Sequence, residues 1–317
     1  MTNVLILLRM PKPVRDQYVN GISQAFPDLN INLVEDPNKL DPHIREADVL
    51  IAFGAHMAED ALRDAAKLKW IQAMGTGVDG LIDQPALRDD VVLTNIRGIH
   101  GPPCSELTIM LMLALSRDYP RTLENQKLGE WGRWPNKLLD RKTVGLLGVG
   151  LIAEALAPML KAFNMTTIGI TETERPVSGI DRFRKRSELA DVAGELDYLV
   201  ALIPLDESTE NLIDADILRA MKPSAYLINI ARGGVLDEDA LIAALDAGEI
   251  AGAALDVFVE EPLPPDHRLW NTDKIIITPH MAGFNDGYAD QALEVIIENI
   301  KRFLAGDTDN MINLVER

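Results

Sequence analysis

The composition is that of an ordinary globular protein: of 317 residues, 47% are hydrophobic and 25% are charged, and this length is comfortable for two domains. The formal net charge of −18 argues against DNA, RNA or an anionic membrane as the main partner, because binding to those surfaces requires a basic face. The single cysteine, Cys104, is unable to form an internal disulfide, so we expect a reducing compartment, the cytoplasm.

Short apolar runs alternate with segments of helical spacing at the start of the chain. The strand-type runs are residues 4–8, 31–34, 49–53, 69–73 and 91–94, all too short to span a membrane. Residues 14–26 and the Ala-rich residues 58–68 have helical spacing. Alternating strands and helices form parallel sheets, so we expect a small α/β domain here, which ends at a Gly- and Pro-rich hinge, residues 97–103.

A long apolar helix is predicted after the hinge, over residues 106–115, with Ser105 as its N-cap. Because it is apolar on more than one face, it must be buried on more than one side. The irregular segment that follows carries Trp131 and Trp134, a residue type that often anchors interfaces. These features predict a homodimer. The alternative is a core formed within one chain, in which the tryptophans cover their own domain.

A glycine turn stands at the centre of the second half of the chain. Gly148-x-Gly150-x-x-Ala153 follows a strand-type run, residues 144–147, and precedes a helix-like segment, residues 152–163. Strand, turn and helix in this order are typical of a dinucleotide-binding βαβ unit. Gly148 permits the tight turn, Gly150 lets the backbone approach a pyrophosphate, and the small Ala153 lets the helix pack on the strand.

Three charged side chains directly follow later predicted strands: Arg232 before a Gly-Gly pair, Glu261 before a proline, and His280 after Thr-Pro. Ligands of open parallel sheets bind outside the carboxyl ends of the strands, so we expect these side chains to converge. Together they suit the reduction of a ketone by hydride. An imidazolium protonates the resulting oxyanion, a carboxylate favours that imidazolium, and a guanidinium grips a carboxylate at two points.

On these motifs the chain resembles the D-isomer-specific 2-hydroxyacid dehydrogenases, over essentially its whole length and most densely over residues 143–283. The resemblance implies two doubly wound, parallel-sheet α/β domains, one Rossmann-like and one flavodoxin-like. Residues 1–97 and 284–317 are expected to bind substrate, and residues 98–283 the dinucleotide. The implied reaction interconverts a small 2-oxo acid and a D-2-hydroxy acid with NAD or NADP, without a metal.

The resemblance also implies roles for individual residues. His280 is expected to be the acid/base, paired with Glu261, and Arg232 to bind the substrate carboxylate. The backbone amides around Gly75, Thr76 and Gly77 are expected to hold the same carboxylate. The implied cofactor-binding positions are Gly148, Gly150, Leu151, Ile152, Thr171, Glu172, Pro204, Ile230, Ala231, Asp256, Thr108 and Gly283.

Cofactor choice stays open between NAD and NADP, with a lean towards NAD. Relatives that use NAD commonly carry an aspartate where this chain has Thr171, followed here by Glu172. Thr171 and Arg175 favour a 2′-phosphate, whereas Glu172 and Glu174 repel it.

Two further points stay open at this stage. A dinucleotide-sensing binding protein of the same family, with little turnover, is the alternative function. Arg97 and His100 lie at the hinge without an assigned role, and His56 is interpreted as a surface residue at a helix start.

Overall fold

Two parallel sheets organise the chain in a computed structural model that describes residues 1–54, 57–58 and 60–316. The chain divides into two compact units: unit 1 is Met1–Ile99 with Asn285–Arg317, and unit 2 is His100–Phe284. No helix among the described residues combines the length and the apolar character that a membrane crossing needs.

The strands are β1 (Asn3–Leu7), β2 (Asn30–Val34), β3 (Val49–Ala52), β4 (Trp70–Ala73), β5 (Val92–Thr94), β6 (Thr143–Leu147), β7 (Thr166–Ile170), β8 (Arg182–Arg184), β9 (Tyr198–Ala201), β10 (Tyr226–Asn229), β11 (Gly252–Leu255) and β12 (Ile275–Ile277). The helices are α1 (Lys12–Ala25), α2 (His43–Glu46), α3 (Gly101–Arg117), α4 (Tyr119–Leu128), α5 (Leu151–Ala162), α6 (Leu189–Ala193), α7 (Ala215–Ala220), α8 (Glu238–Ala247) and α9 (Tyr288–Leu304).

Unit 1 contains a five-stranded parallel sheet in the order β2-β1-β3-β4-β5, which is the flavodoxin-like order. Strand β1 is buried on both faces, since successive side chains of a strand point to opposite sides. Val4 and Ile6 of β1 enter one apolar cluster, and Leu5 and Leu7 enter another. Helices therefore cover both faces, as predicted for a doubly wound sheet.

Residues 60–68 do not form the Ala-rich helix that was predicted over residues 58–68. Several of their backbone N–H groups bond to the carbonyl three residues earlier, as from Ala65 to Leu62 at 3.1 Å and from Leu68 to Ala65 at 3.2 Å. Leu62, Ala65 and Leu68 are buried at the same spacing of three. The segment is a series of turns, because this spacing brings its apolar side chains to the core without a continuous helix.

Unit 2 contains a seven-stranded parallel sheet in the order β12-β11-β10-β9-β6-β7-β8. Counted from β6, this is the Rossmann order, with the strand order reversing between β6 and β9. The predicted class, two doubly wound α/β sheets, is confirmed. Arg182–Arg184, which was not among the predicted strands, forms the edge strand β8 beside β7.

Helix α3 begins at Gly101, earlier than predicted, with Pro102 and Pro103 in its first turn, where their missing N–H groups cost nothing. The prediction that Ser105 caps this helix was wrong. Its side chain is buried inside the helix, and its hydroxyl donates to the carbonyl of Gly101 at 2.7 Å. His100 is the residue that directly precedes the helix.

Candidate active site

The glycine turn lies where the order of the unit 2 sheet reverses. Gly148 follows β6 with a φ of 98°, and a Cβ on it would lie 2.9 Å from backbone atoms of Ile203, just after β9. A Cβ on Gly150 would meet nothing within 4 Å, so the start of α5 at Leu151 faces open space. The N-terminus of a helix that faces open space in this way is suited to bind a phosphate group.

Charged side chains surround this turn. Arg175 pairs with Glu154 of α5 and donates to the carbonyl of Val149 at 3.3 Å, so its guanidinium lies over the turn. Glu172, two residues past β7, lies 3.4 Å from the guanidinium of Arg186. The end of β7 thus carries one exposed acid whose charge a neighbouring arginine partly balances.

The remaining predicted cofactor positions differ in accessibility. Leu151 and Pro204 are exposed, and Thr171 is partly exposed, with its hydroxyl accepting a hydrogen bond from the N–H of Thr173 at 3.3 Å. Thr108 is fully buried on α3, and its hydroxyl donates to the carbonyl of Cys104 at 2.7 Å. The others are the partly exposed Ile152 and Gly283 and the buried Ile230, Ala231 and Asp256.

Arg232 lies in a turn that buried groups hold in place. Asn229, at the end of β10, accepts from the N–H of Ala231 at 3.0 Å and donates to the carbonyl of Arg232 at 2.9 Å. A Cβ on Gly233 would lie 1.9 Å from the carbonyl carbon of Phe258. Only glycine fits at that position, so the turn carrying Arg232 packs directly against the loop that leads to Glu261.

Glu261 and His280 form a close pair. The Nδ1 atom of His280 lies 2.6 Å from one carboxylate oxygen of Glu261, and the other oxygen accepts from the N–H of Phe258 at 2.9 Å. Burial alone would raise the pKa of Glu261, but these two hydrogen bonds, with the positive charge of Arg232, outweigh it and hold the pKa below its ordinary value. The carboxylate therefore stays ionised and fixes Nδ1, so that Nε2 is the ring nitrogen that does not contact Glu261.

Asp256 holds the loop that carries His280. Its carboxylate is fully buried and accepts hydrogen bonds from the Thr278 hydroxyl at 2.5 Å and from the N–H groups of Met281 at 3.0 Å and Ala282 at 2.8 Å. Its carbonyl accepts from the N–H of His280 at 2.7 Å. These contacts stabilise His280 in the left-handed region, at a φ of 48°.

Sequence reasoning missed the supporting roles of Asn229, Asp256 and Thr278. The available indication was a polar residue at the end of an otherwise apolar strand, as in Ile-Asn-Ile and Leu-Asp-Val. Buried polar groups of this kind need partners, and they find them in the adjacent turns.

The predicted substrate loop belongs to unit 1. The carbonyl of Gly75 accepts from the N–H of Ile96 at 3.0 Å, and the carbonyl of Thr76 accepts from the side chain of Asn95 at 2.8 Å. The loop, which includes Gly77, thus follows β4 and is tied to the residues after β5. His56 lies outside the described residues. Within the described part of the chain, no group of three or more His, Cys, Asp or Glu side chains is arranged to hold a metal ion.

Residues 109–282, more than half of the chain, match the family described as D-isomer specific 2-hydroxyacid dehydrogenase, NAD binding domain. The chain belongs to this family. The prediction of the dehydrogenase family, made from the motifs, is confirmed, and unit 2 carries its NAD-binding domain. The space beside Gly150 is open and α5 begins directly after it, which suits the binding of a nicotinamide dinucleotide.

Known members of the dehydrogenase family resemble this chain over most of its length. This chain is 34% identical to the D-3-phosphoglycerate dehydrogenase of Methanocaldococcus jannaschii over 86% of its length, but the match spans only 52% of that protein. A crystal structure of a family member from Aeromonas salmonicida shows 32% identity and a TM-score of 0.88 over 100% of this chain and 99% of its own. The NADPH-dependent glyoxylate/hydroxypyruvate reductase of Sinorhizobium meliloti, solved with NADP and sulfate, shows 26% identity and a TM-score of 0.85 over 100% and 98%.

Proposed function

We propose that this protein reduces a small 2-oxo acid to the D-2-hydroxy acid, with His280 as the proton donor. The observation that carries the proposal is the 2.6 Å contact between His280 and the ionised Glu261, beside the turn that holds Arg232. A bound nicotinamide dinucleotide supplies the hydride. His280 gives its Nε2 proton to the carbonyl oxygen as the hydroxyl forms.

Arg232 is the proposed binding group for the substrate carboxylate. Its planar guanidinium matches a carboxylate at two points, which fixes the orientation of the adjacent carbonyl. Asn229 and Gly233 support this role, because they hold the turn firmly against the loop of Glu261. In unit 1, family resemblance supports a carboxylate-binding role for the loop of Gly75, Thr76 and Gly77.

The experiment that tests this function is the oxidation of NADH and NADPH by the purified protein with a panel of 2-oxo acids. We expect turnover with at least one small 2-oxo acid, and a product of D configuration by chiral chromatography. Firm dinucleotide binding without turnover of any acid would contradict the proposal and favour the dinucleotide-sensing alternative.

We propose NAD rather than NADP as the preferred cofactor. The acid Glu172 at the end of β7 repels a 2′-phosphate, and Arg175 is already engaged by Glu154 and the glycine turn. The preference is measured as kcat/KM for NADH divided by kcat/KM for NADPH. Glu172→Gln should lower this ratio, with the exposed Glu294→Gln of unit 1 as the control. A wild-type preference for NADPH would contradict the assignment.

We also propose that the protein is a homodimer. Apolar side chains of α3, α4 and α5 line an open groove on unit 2, including Met110, Leu113, Tyr119 and Met159. Trp131 is 91% exposed, although large aromatic side chains usually bury most of their surface. Light scattering at micromolar concentration tests this proposal. A fully active particle near the chain mass of 34.9 kDa would contradict it.

A further inference from the structure

Two carbonyl groups of the predicted substrate loop are held by residues that follow β5. The carbonyl of Gly75 accepts from the backbone N–H of Ile96 at 3.0 Å, and the carbonyl of Thr76 accepts from Nδ2 of Asn95 at 2.8 Å. In a trans peptide unit the C=O and N–H groups point in opposite directions. The contacts that fix these carbonyls therefore also fix the directions of the N–H groups of Thr76 and Gly77, which belong to the same two peptide units.

Asn95 is buried, and each of its four polar groups has a partner within unit 1. Besides the contact with Thr76, its Oδ1 accepts from the backbone N–H of Arg97 at 3.1 Å. Its backbone N–H donates to the carbonyl of Asn313 at 3.1 Å, and its own carbonyl accepts from Nδ2 of Asn313 at 3.2 Å. The same Nδ2 donates to the carbonyl of Arg97 at 2.7 Å. Asn95 thus connects the substrate loop with the C-terminal tail of the chain.

The C-terminal tail is itself fixed on both sides of Asn313. Leu314 forms an antiparallel bridge with Thr94 of β5, and the N–H of Ile312 donates to Oδ1 of the buried Asn299 on α9 at 2.6 Å. Between these contacts the backbone of Asn313 lies in the left-handed region, at a φ of 57°. Asparagine adopts this conformation more readily than most residues. Asn313 is therefore a firm support for Asn95.

We propose that Asn95 is a positioning residue, which orients the substrate loop towards the substrate carboxylate and is held in place by Asn313. The inference rests on the proposed function, in which the backbone of this loop binds that carboxylate. Gly75 and Gly77 allow the loop many backbone conformations, so contacts from outside the loop must select one. A side-chain amide suits this task, because it donates to the loop and accepts from the chain after β5 at the same time.

The test measures kcat and KM of Asn95→Ala with the 2-oxo acid that the wild type reduces best, beginning with glyoxylate and pyruvate. The carboxylate is present throughout the reaction, so a misplaced loop should weaken the binding of substrate and transition state alike. We expect KM for the acid to rise at least about fivefold, the contribution of one hydrogen bond, with kcat within about twofold of the wild type. The affinity for NADH, from fluorescence titration, should be unchanged, because the glycine turn lies in unit 2.

Thr94→Val is the matched control for a general loosening of unit 1. Thr94 directly precedes Asn95 and is fully buried, but its hydroxyl bonds to the side chains of Trp70 and Gln72 and not to the substrate loop. This variant should lower the free energy of unfolding in urea and leave KM unchanged. A fall in kcat at constant KM in Asn95→Ala would show that Asn95 only stabilises the fold, and it would overturn the inference.

Asn313→Gly provides a second test, which does not depend on the folding of Asn95→Ala. Glycine keeps the left-handed backbone but removes the side chain that holds Asn95, so KM should rise by a smaller factor, about twofold. In the double variant the two effects should not add.

The outcomes separate the inference from the proposed function. An unchanged KM in Asn95→Ala, or in Asn313→Gly where Asn95→Ala does not fold, would overturn the inference and leave the proposed function in place. A wild type that reduces no 2-oxo acid would instead remove the proposed function and the inference together.

Discussion

Two of the histidines of unit 2, His280 and His100, lie in opposite electrostatic surroundings. His280 contacts the ionised carboxylate of Glu261 at 2.6 Å. His100 is partly buried beside the cation of Arg232, and its pKa is lowered to about 4. A carboxylate favours the imidazolium, whereas burial and a nearby cation favour the neutral ring. The same residue type therefore suits proton transfer in one place and neutral hydrogen bonding in the other.

The two surroundings are also built differently. The loop of His280 depends on the buried carboxylate of Asp256, which accepts three hydrogen bonds from residues 278–282. The ring of His100 depends on the close approach that the missing side chain of Gly283 permits. Polar contacts fix the first histidine, and packing fixes the second.

Removal of the His280 side chain should have the largest effect. His280→Ala should lower kcat by a factor on the order of 10²–10⁴, the usual contribution of a general acid. The affinity for NADH, from fluorescence titration, should remain nearly unchanged. If His280→Ala kept near-normal turnover, the proton donor would have to be another group, and the contrast between the histidines would fail.

The next largest effect is expected at Arg232. Arg232→Lys keeps the charge but loses the planar two-point contact, so kcat/KM for the oxo acid should fall roughly 10- to 100-fold. Binding of NADH should change little. The exposed Arg219→Lys serves as the matched control. Unchanged kcat/KM in Arg232→Lys would remove Arg232 from the substrate site.

A smaller effect is expected at Asp256, which supports only the first of the two histidines. Asp256→Asn places an amide NH₂ where an oxygen now accepts, so the free energy of unfolding should fall by about 1–3 kcal/mol. Turnover should fall with it as the loop of His280 loosens, whereas the exposed Asp266→Asn should match the wild type. Urea denaturation and kcat measure the two effects. Unchanged stability would show that the loop does not depend on this carboxylate.

The lowered pKa of His100 predicts that this residue makes the stability of the fold depend on pH. Because the fold lowers the pKa of His100, the unfolded chain binds a proton there more readily as the pH falls below 7, which destabilises the fold. His100→Asn removes this contribution, so on going from about pH 7 to about pH 5 the wild type should lose more stability than the variant. Thermal melts at both values measure the difference. Parallel losses would mean that His100 is not held neutral.

Much of the fold was predictable because it depends on local patterns. Apolar runs of strand length predicted the parallel sheets, and the glycine turn predicted the βαβ unit that β6 and α5 now form. The errors lie where tertiary contacts decide the structure. Ser105 has the chemistry of a helix cap, but the helix begins earlier and buries it. The edge strand β8 is only three residues long, too short for a clear pattern, and forms because β7 pairs with it.

The candidate site was predictable in part for the same reason. The motifs name His280, Glu261 and Arg232, and the structure brings His280 and Glu261 into contact. The support from Asp256 was hidden in sequence, because its partners lie 25 and 26 residues away along the chain. The neighbours of His100 were hidden too, since Gly283 and Arg232 are remote in sequence and each is explained by another motif.

The most direct test of the pairing between His280 and Glu261 is the pH dependence of kcat in the wild type and in Glu261→Gln. Reduction needs the imidazolium, and the low pKa of Glu261 keeps the partner carboxylate charged throughout the neutral range. Loss of that charge should therefore move the high-pH decline of kcat to lower pH, with a modest loss at the optimum. The adjacent, exposed Glu260→Gln should leave the profile unchanged. A Glu261→Gln profile that superimposes on that of the wild type would contradict the account.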